Sequence, residues 1–393
     1  PILHSFPPRR SSDLAQICQD VAVVPFLWIG PLALYLLSFI LCFESDRWYM
    51  RRWWCLITAA LLLGLCYVQA FGTQLPLLLQ LSVWFGSLAA AFMLCHGELA
   101  RLRPDSDQLT LFYLTTAAGG ACGGISVGLV APLLLPQYWE HDVAILTAAL
   151  LALGVWFSER GWLRSGRPPL PAAAISMLLL VSILTVAAAS VSGWLQSIAV
   201  QRTFYGVLEV ELDPVEDAVV LRHGRITHGV QFRRLPSVPT TYYGYETGVA
   251  RAMTVLRERA EASGGRMKAG LVGLGTGTLA AYGRDGDQFV FYEIDPGVVQ
   301  LAHEQFRFLS DSAADVAIIE GDARLQLEAQ PPQQYQLLVL DAFSGDAVPT
   351  HLLTREAVQL YRRHLAPGGI LAIHISNLHL NLRRVTEGLA TAE

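Results

Sequence analysis

The stretch LVGLGTGTLAAYG (Leu271–Gly283) places Gly273, Gly275 and Gly277 at alternate positions directly after an apolar run. An apolar strand that breaks into Gly-x-Gly-x-Gly and then enters a helix bends tightly. It also lets a ligand approach the backbone and aims unpaired helix-start N–H groups at it. Alone, the motif fits a plain tight turn equally well, so its reading depends on what surrounds it.

Downstream the chain alternates strands and helices. A strand at 269–273 leads through the turn to a helix, then to the strand QFVFYEID (288–295) and a helix at 296–309. The strand DVAIIEGD (315–322), a short helix and the strand YQLLVLDAF (335–343) follow, then a helix at 354–365, a PGG turn and the strand ILAIHIS (370–376). This order predicts a parallel sheet of the Rossmann-like kind, with its ligand crevice beyond the strands' carboxyl ends. Those ends carry Glu293 and Asp295, Gly321–Asp322, and Asp341. An acid about 20 residues past the glycines can accept from ribose hydroxyls, which points to Glu293. Asp295, just before Pro296, reads as a helix N-cap, and Asp322 could instead merely cap the short helix after it. Asp341, between LLVL and a polar loop, is the foremost functional candidate.

Upstream, FYGVLEVEL (204–212) and AVVLRHGRITHGVQF (218–232) read as strands, the second with a turn at His223–Gly224, and a helix is expected from about Glu246. The domain reading is a membrane domain over 15–200, a small β subdomain over 201–250, and a Rossmann-like domain over 251–393. Residues 1–14, with SFPPRRSSDL, are expected to be adapter-derived, and the C-terminus is expected to be truncated.

The membrane reading rests on six windows without Lys, Arg, Asp or Glu, roughly 21–43, 53–71, 75–96, 110–135, 142–158 (Asp142 at its edge) and 170–195. A bilayer core needs about 20 apolar residues per helix, so a polytopic domain of about six transmembrane helices in a lipid bilayer is expected. Arg47, Arg51, Arg52, Arg101, Arg103, Arg160, Arg164 and Arg167 fall in alternate loops, which places those loops in the cytoplasm and the C-terminal half outside. AAGGACGGISVG (117–128) reads either as close helix packing or as a re-entrant helix, and re-entry would return the C-terminal half to the cytoplasm. His96 reads as a helix-end residue. All six cysteines precede residue 123 with no Cys-x-x-Cys pair, so neither a disulfide framework nor a metal site is expected. The net charge of −5 lies wholly in the second half, which argues against nucleic acid as a partner.

Residues 203–377 resemble the spermidine synthase (polyamine aminopropyltransferase) family, particularly its membrane-fused members, through GLGTGT, YEID, EGDA and LVLDAFSGDAVPTHLLTREAVQLYRRHLAPGGILAIHIS. The resemblance implies a small β domain before an S-adenosylmethionine-methyltransferase-like fold, and decarboxylated S-adenosylmethionine or S-adenosylmethionine as donor. It also implies a polyamine or other small amine as acceptor, with no metal. Gly273, Gly275 and Gly277 would form the donor loop, Glu293 would hold the ribose, and Asp322 the adenine amino group. Asp341 would assist deprotonation of the attacking amine, while Tyr243 and Asp346 would wall the amine groove. Departures from the family pattern are Thr276 and Ser344 where acids are usual, Gly206 for Gln, and Gly244 for His. The function expected is a membrane-tethered aminopropyl transfer in a bacterial inner membrane, with a homo-oligomer as a further expectation. The alternatives are a methyltransferase, or a non-catalytic polyamine- or nucleoside-binding domain coupled to a transporter-like membrane domain. The side of the C-terminal domain stays open, because loop charge favours the outside and donor chemistry the cytoplasm.

Overall fold

The computed structural model describes residues 25–71, 75–158, 170–224, 226–262, 265–342, 349–375 and 382–392. The chain forms two units that divide between Leu195 and Gln196.

The first unit is helical: α1 (Pro25–Glu44), α2 (Arg51–Phe71), α3 (Leu77–Arg101), α4 (Leu109–Ile125), α5 (Ala131–Leu134), α6 (Trp139–Ser158) and α7 (Leu170–Trp194). Helical backbone therefore occupies each of the six apolar windows. Among the described residues, four stretches are long and apolar enough to cross a bilayer: Arg51–Gln69, Leu78–Arg101, Ser106–Leu134 and Trp139–Ser158. The apolar helical stretches Ile29–Glu44 and Ser176–Thr185 are shorter. Helices α1 to α3, α6 and α7 share a core that includes Cys42, Cys55, Leu62, Leu94, Ala149 and Leu179. His96 is buried within it. Its Nδ1 lies 2.9 Å from Ser38 Oγ and its ring packs edge-on against Tyr35 and Phe39, so it serves as a satisfied interhelical contact. Tyr49 Oη and Arg51 both donate to Glu98.

The glycine-rich window is one helical run. The π-helical turn Ser126–Val130 joins α4 to α5, and no re-entrant break occurs. The close packing expected of Gly119, Gly120, Gly123, Gly124 and Gly128 is not made among the described residues, where a Cβ on any of them would meet nothing within 4 Å.

The second unit begins with an antiparallel sheet in the order β1 (Ser197–Thr203), β2 (Gly206–Asp213), β3 (Ala218–His223), β4 (Ile226–Phe232). Strand β1 starts before the expected boundary at 201, where SIAVQRT directly follows an apolar helix and is too short to stand out from it. Leu208, Val210 and Leu221 seat this sheet on Leu301 and Phe306.

Next come α8 (Gly248–Ala262), β5 (Lys268–Val272), β6 (Gln288–Glu293), α9 (Pro296–Gln305), β7 (Asp315–Glu320), α10 (Ala323–Ala329) and β8 (Tyr335–Leu340). Helix α11 (Arg355–His364), strand β9 (Leu365–Ile373) and α12 (Arg383–Ala392) complete the unit. The sheet is parallel throughout, in the order β7-β6-β5-β8-β9. Side chains alternate between its faces, as strand geometry requires. Ala269, Leu271, Phe289, Phe291, Leu337 and Val339 pack toward α8, while Val272, Tyr292, Leu338 and Leu340 pack toward α10 and α11. Both faces are covered, which explains the unbroken apolar runs in β5 and β8.

Two local expectations change. The helix after the glycine turn is only a 3-10 turn, Thr278–Tyr282, because Gly283 is extended and Gly286 adopts φ +82° just beyond it. The PGG turn lies inside β9 as an interruption of register, since Tyr335 pairs with Leu365 and Leu337 already pairs with Ile370.

Candidate active site

The chain runs from β5 to β6 and β7 on one side, then returns to β8 and β9 on the other. The carboxyl ends of β5 and β8 therefore flank the topological switch point, where such sheets bind ligands. The glycine turn follows β5 and Asp341 follows β8. A cavity of about 440 Å³ opens there, lined by the ends of β5, β6 and β8 and by residues of β3 and β4.

Gly273 cannot be replaced without cost, because at φ +96° a Cβ would sit 2.1 Å from the Asp341 carbonyl oxygen. Gly275, at φ +55°, presses against the His228 carbonyl, where a Cβ would approach to 2.9 Å. Both line the cavity. Gly277 does not. It caps the 3-10 turn in the left-handed conformation and makes room for Leu309.

Glu293 ends β6, buried. Its Oε2 accepts from Leu274 N–H at 2.9 Å and its Oε1 from Asp295 N–H at 3.0 Å. Burial raises its pKa while these two bonds oppose the rise. The same carboxylate thus holds the glycine turn in place and faces the cavity. Asp295 is the N-cap of α9, as its place before Pro296 suggests. Its Oδ1 accepts from Gly297 N–H at 2.9 Å, and its Oδ2 from Thr203 Oγ at 2.7 Å. Asp322 caps α10, with Oδ1 accepting from Leu325 N–H at 3.0 Å, and also lines the cavity. Its Oδ2 lies 2.8 Å from His351 Nε2.

Asp341 is fixed through Val272, whose carbonyl accepts its N–H at 2.8 Å. Burial pushes its carboxyl up to about 7, against a lowering hydrogen bond from the Tyr242 hydroxyl. Tyr242 packs on the His374 ring at 4.4 Å and on Tyr243 at 4.6 Å. Tyr243 lines the cavity. Asp346 and Ser344 lie outside the described residues. Thr276 is buried but absent from the cavity lining. Its Oγ lies 2.9 Å from Thr278 Oγ, and its side chain fills the space that a Cβ on Gly229 would need.

The structure therefore brings Gly273, Gly275, Glu293, Asp322, Asp341 and Tyr243 to one cavity. It adds groups that the sequence reading passed over: Tyr242, His223, His228 and His351. The two histidines of β3 and β4 stand beside other polar residues, Arg222, Thr227 and Gln231, so nothing in the strand pattern sets them apart. His351 stands ten positions past Asp341, with no periodicity to mark it.

No family model matches the chain. Over 81 residues it is 36% identical to a polyamine aminopropyltransferase of Vibrio vulnificus, covering 20% of this chain and 26% of that protein. Over 126 residues it is 28% identical to a probable polyamine aminopropyl transferase of Bifidobacterium longum, covering 30% of this chain and 26% of that protein. The chain thus spans about a quarter of the length of these relatives. Among solved structures, a probable spermidine synthase from Corynebacterium glutamicum aligns with a TM-score of 0.36 and 21% identity, over 44% of this chain and 62% of that one. MNMC2 from Aquifex aeolicus aligns with a TM-score of 0.31 and 16% identity, over 47% and 64% respectively. Over these stretches the chain is similar to polyamine aminopropyltransferases.

Proposed function

We propose that the second unit transfers the aminopropyl group of decarboxylated S-adenosylmethionine to an amine, and that the helical unit tethers it to a bilayer. The observation that carries this reading is the meeting of Gly273, Gly275, Glu293, Asp322 and Asp341 around one cavity at the switch point. The names of the curated relatives support the reaction class.

The chemistry fits the residues. An ammonium has no lone pair, so the acceptor must lose a proton before it attacks the carbon next to the sulfonium. The C–N bond forms as the C–S bond breaks, 5′-methylthioadenosine departs, and Asp341 takes the proton. A carboxyl held near 7 is a better base at neutral pH than an ordinary aspartate, and the Tyr242 hydroxyl fixes its direction. Glu293 would accept from the ribose and Asp322 from the adenine amino group. The tethering rests on the four helices of sufficient length and apolarity.

Equilibrium binding of 5′-methylthioadenosine to the detergent-solubilised chain tests the pocket. Micromolar affinity lost in both Glu293→Ala and Asp322→Ala supports the reading. Absence of binding in the wild type removes it.

A further inference from the structure

An unbroken chain of hydrogen bonds joins Glu293 to a histidine on the antiparallel sheet. Asp295 N–H donates to Glu293 Oε1 at 3.0 Å, and Asp295 Oδ2 accepts from Thr203 Oγ at 2.7 Å. Thr203 Oγ in turn accepts from Tyr205 N–H at 3.1 Å, and the Tyr205 carbonyl lies 3.0 Å from His223 Nε2. The chain runs from the acid that ends β6, through the turn between β1 and β2, to the last residue of β3. Glu293, Asp295, Tyr205 and His223 all line the cavity.

Charge groups the same residues. Burial raises the Tyr205 phenol, and Asp295, Asp322 and Glu293 raise it further. Asp295 also acts on His223. The Tyr242 phenol is raised by burial too, but there the acid is Asp341. His223 therefore belongs with Glu293 and Asp322, the acids proposed to hold the nucleoside.

The imidazole has one tautomer open to it. A carbonyl only accepts, so Nε2 carries the proton of the contact with Tyr205. Burial lowers the His223 pKa, against the opposing effects of the Tyr205 carbonyl and of Asp295, so the ring is neutral at pH 7. Nδ1 is then a lone-pair acceptor. Among the described residues Nδ1 makes no hydrogen bond, and it is not one of the buried unpaired atoms, so it is open on a side chain that lines the cavity. Gly206 permits this arrangement: at φ +142°, a Cβ there would lie 2.2 Å from His223 Nε2. The departure from the family pattern at position 206 leaves that room to the imidazole.

A nucleoside ribose carries two neighbouring hydroxyls, and each needs an acceptor once it leaves water. Both Glu293 oxygens already take a backbone N–H, from Leu274 and Asp295. A neutral acceptor of fixed tautomer, tied to Glu293 by the same hydrogen bonds, supplies a second contact.

We infer that His223 is a specificity-determining residue for the donor nucleoside, its Nδ1 accepting from one ribose hydroxyl while Glu293 accepts from the other. The inference rests on the aminopropyl-transfer reading of this cavity and deepens it. An ammonium of the acceptor would find the same lone pair, and the experiment separates the two.

The test measures equilibrium binding of 5′-methylthioadenosine, and of its 2′-deoxy and 3′-deoxy counterparts, to the detergent-solubilised full chain. Absence of binding of the parent nucleoside by the wild type would strike the transferase reading itself. The wild type is expected to bind each deoxy nucleoside about tenfold more weakly than the parent. His223→Leu should weaken the parent about tenfold and bring one deoxy nucleoside within about twofold of it, while the other keeps its penalty. That kept penalty shows that the pocket is intact. His223→Asn, whose Oδ1 can stand in for Nδ1, should restore most of the lost discrimination. With the nucleoside pocket left standing, the inference is overturned if the wild type binds all three nucleosides alike, a comparison that needs no variant. It is overturned equally if His223→Leu keeps both penalties, including the case in which that variant weakens only 1,4-diaminobutane on the nucleoside-saturated protein, which would assign Nδ1 to the acceptor's ammonium.

Discussion

Asp322 uses its two carboxylate oxygens on different partners: Oδ1 accepts from Leu325 N–H at 3.0 Å, and Oδ2 meets His351 Nε2 at 2.8 Å. The first bond starts helix α10. The second holds the half-exposed His351 side chain beside the cavity, on the carboxylate proposed to read the adenine amino group.

Asp322→Asn separates these roles. Asparagine caps helices about as well as aspartate, so stability should change by less than about 0.5 kcal/mol. It offers an amide donor where a carboxylate only accepts. The variant should therefore lose adenosine affinity by roughly tenfold, about 1.4 kcal/mol, and gain relative affinity for inosine. Competitive binding of the two nucleosides checks this, and an unchanged preference would detach Asp322 from base reading.

Glu293 should matter to the fold as well as to the ligand. Its carboxylate satisfies two backbone N–H groups at the glycine turn. Glu293→Ala leaves both buried and unpaired, at a cost of about 1–3 kcal/mol for each group. Denaturant-dependent amide hydrogen exchange in β5 and β6 should show a loss in this range, together with loss of nucleoside binding. Loss of binding at full stability would mean that the turn does not depend on Glu293.

Asp341 predicts a pH dependence with a definite sign. Its folded pKa of about 7 lies above the unfolded value of about 4, so the folded state holds a proton that the unfolded chain releases. This contribution is greatest at low pH and is lost as pH rises through about 7, at no more than about 1.4 kcal/mol per pH unit. Asp341→Asn should flatten that slope between about pH 4 and 7 and stabilise the protein at pH 8. Activity should run oppositely, with kcat/KM rising to a plateau above about 7 as the base ionises. Thermal unfolding and rate profiles over pH 5–9 check the two trends.

Glycine replacements should divide sharply. Gly273→Ala combines φ +96° with a Cβ 2.1 Å from a backbone oxygen, so a loss above about 2 kcal/mol is expected. Gly248→Ala, at the start of α8 with nothing within 4 Å, should be neutral or stabilising by up to about 1 kcal/mol. Parallel unfolding curves compare them directly.

The sheet was legible because its signals are local and periodic. Apolar runs in β5 and β8 mark buried parallel strands, and the acids that end β6 and follow β8 stand out against them. Asp295 could be read as a cap because Pro296 follows it. Strand β1 was hidden beside α7, since seven residues adjoining a long apolar helix carry too little pattern of their own. The 3-10 turn replaced an expected helix because Gly283 and Gly286 end it, a competition that the GxGxG pattern does not display. Tyr242 and Tyr243 are adjacent, and only the fold shows that Tyr242, packed on His374, is the one that bonds Asp341. His228 and His351 depend on a bulge between β3 and β4 and on a contact between distant segments, which no spacing rule encodes. The glycines of α4 suggested tight packing, and whether they pack depends on neighbours that lie elsewhere in sequence.

The central claim is tested most directly by following two labels in one reaction. Purified chain is given decarboxylated S-adenosylmethionine labelled in the aminopropyl group, S-adenosylmethionine labelled in the methyl group, and a panel of amines and amino alcohols. The account predicts aminopropyl label on the amine with stoichiometric 5′-methylthioadenosine, reduced at least a hundredfold by Asp341→Asn, and no methyl label on any acceptor. Methyl transfer without aminopropyl transfer, or aminopropyl transfer undiminished in Asp341→Asn, would contradict it.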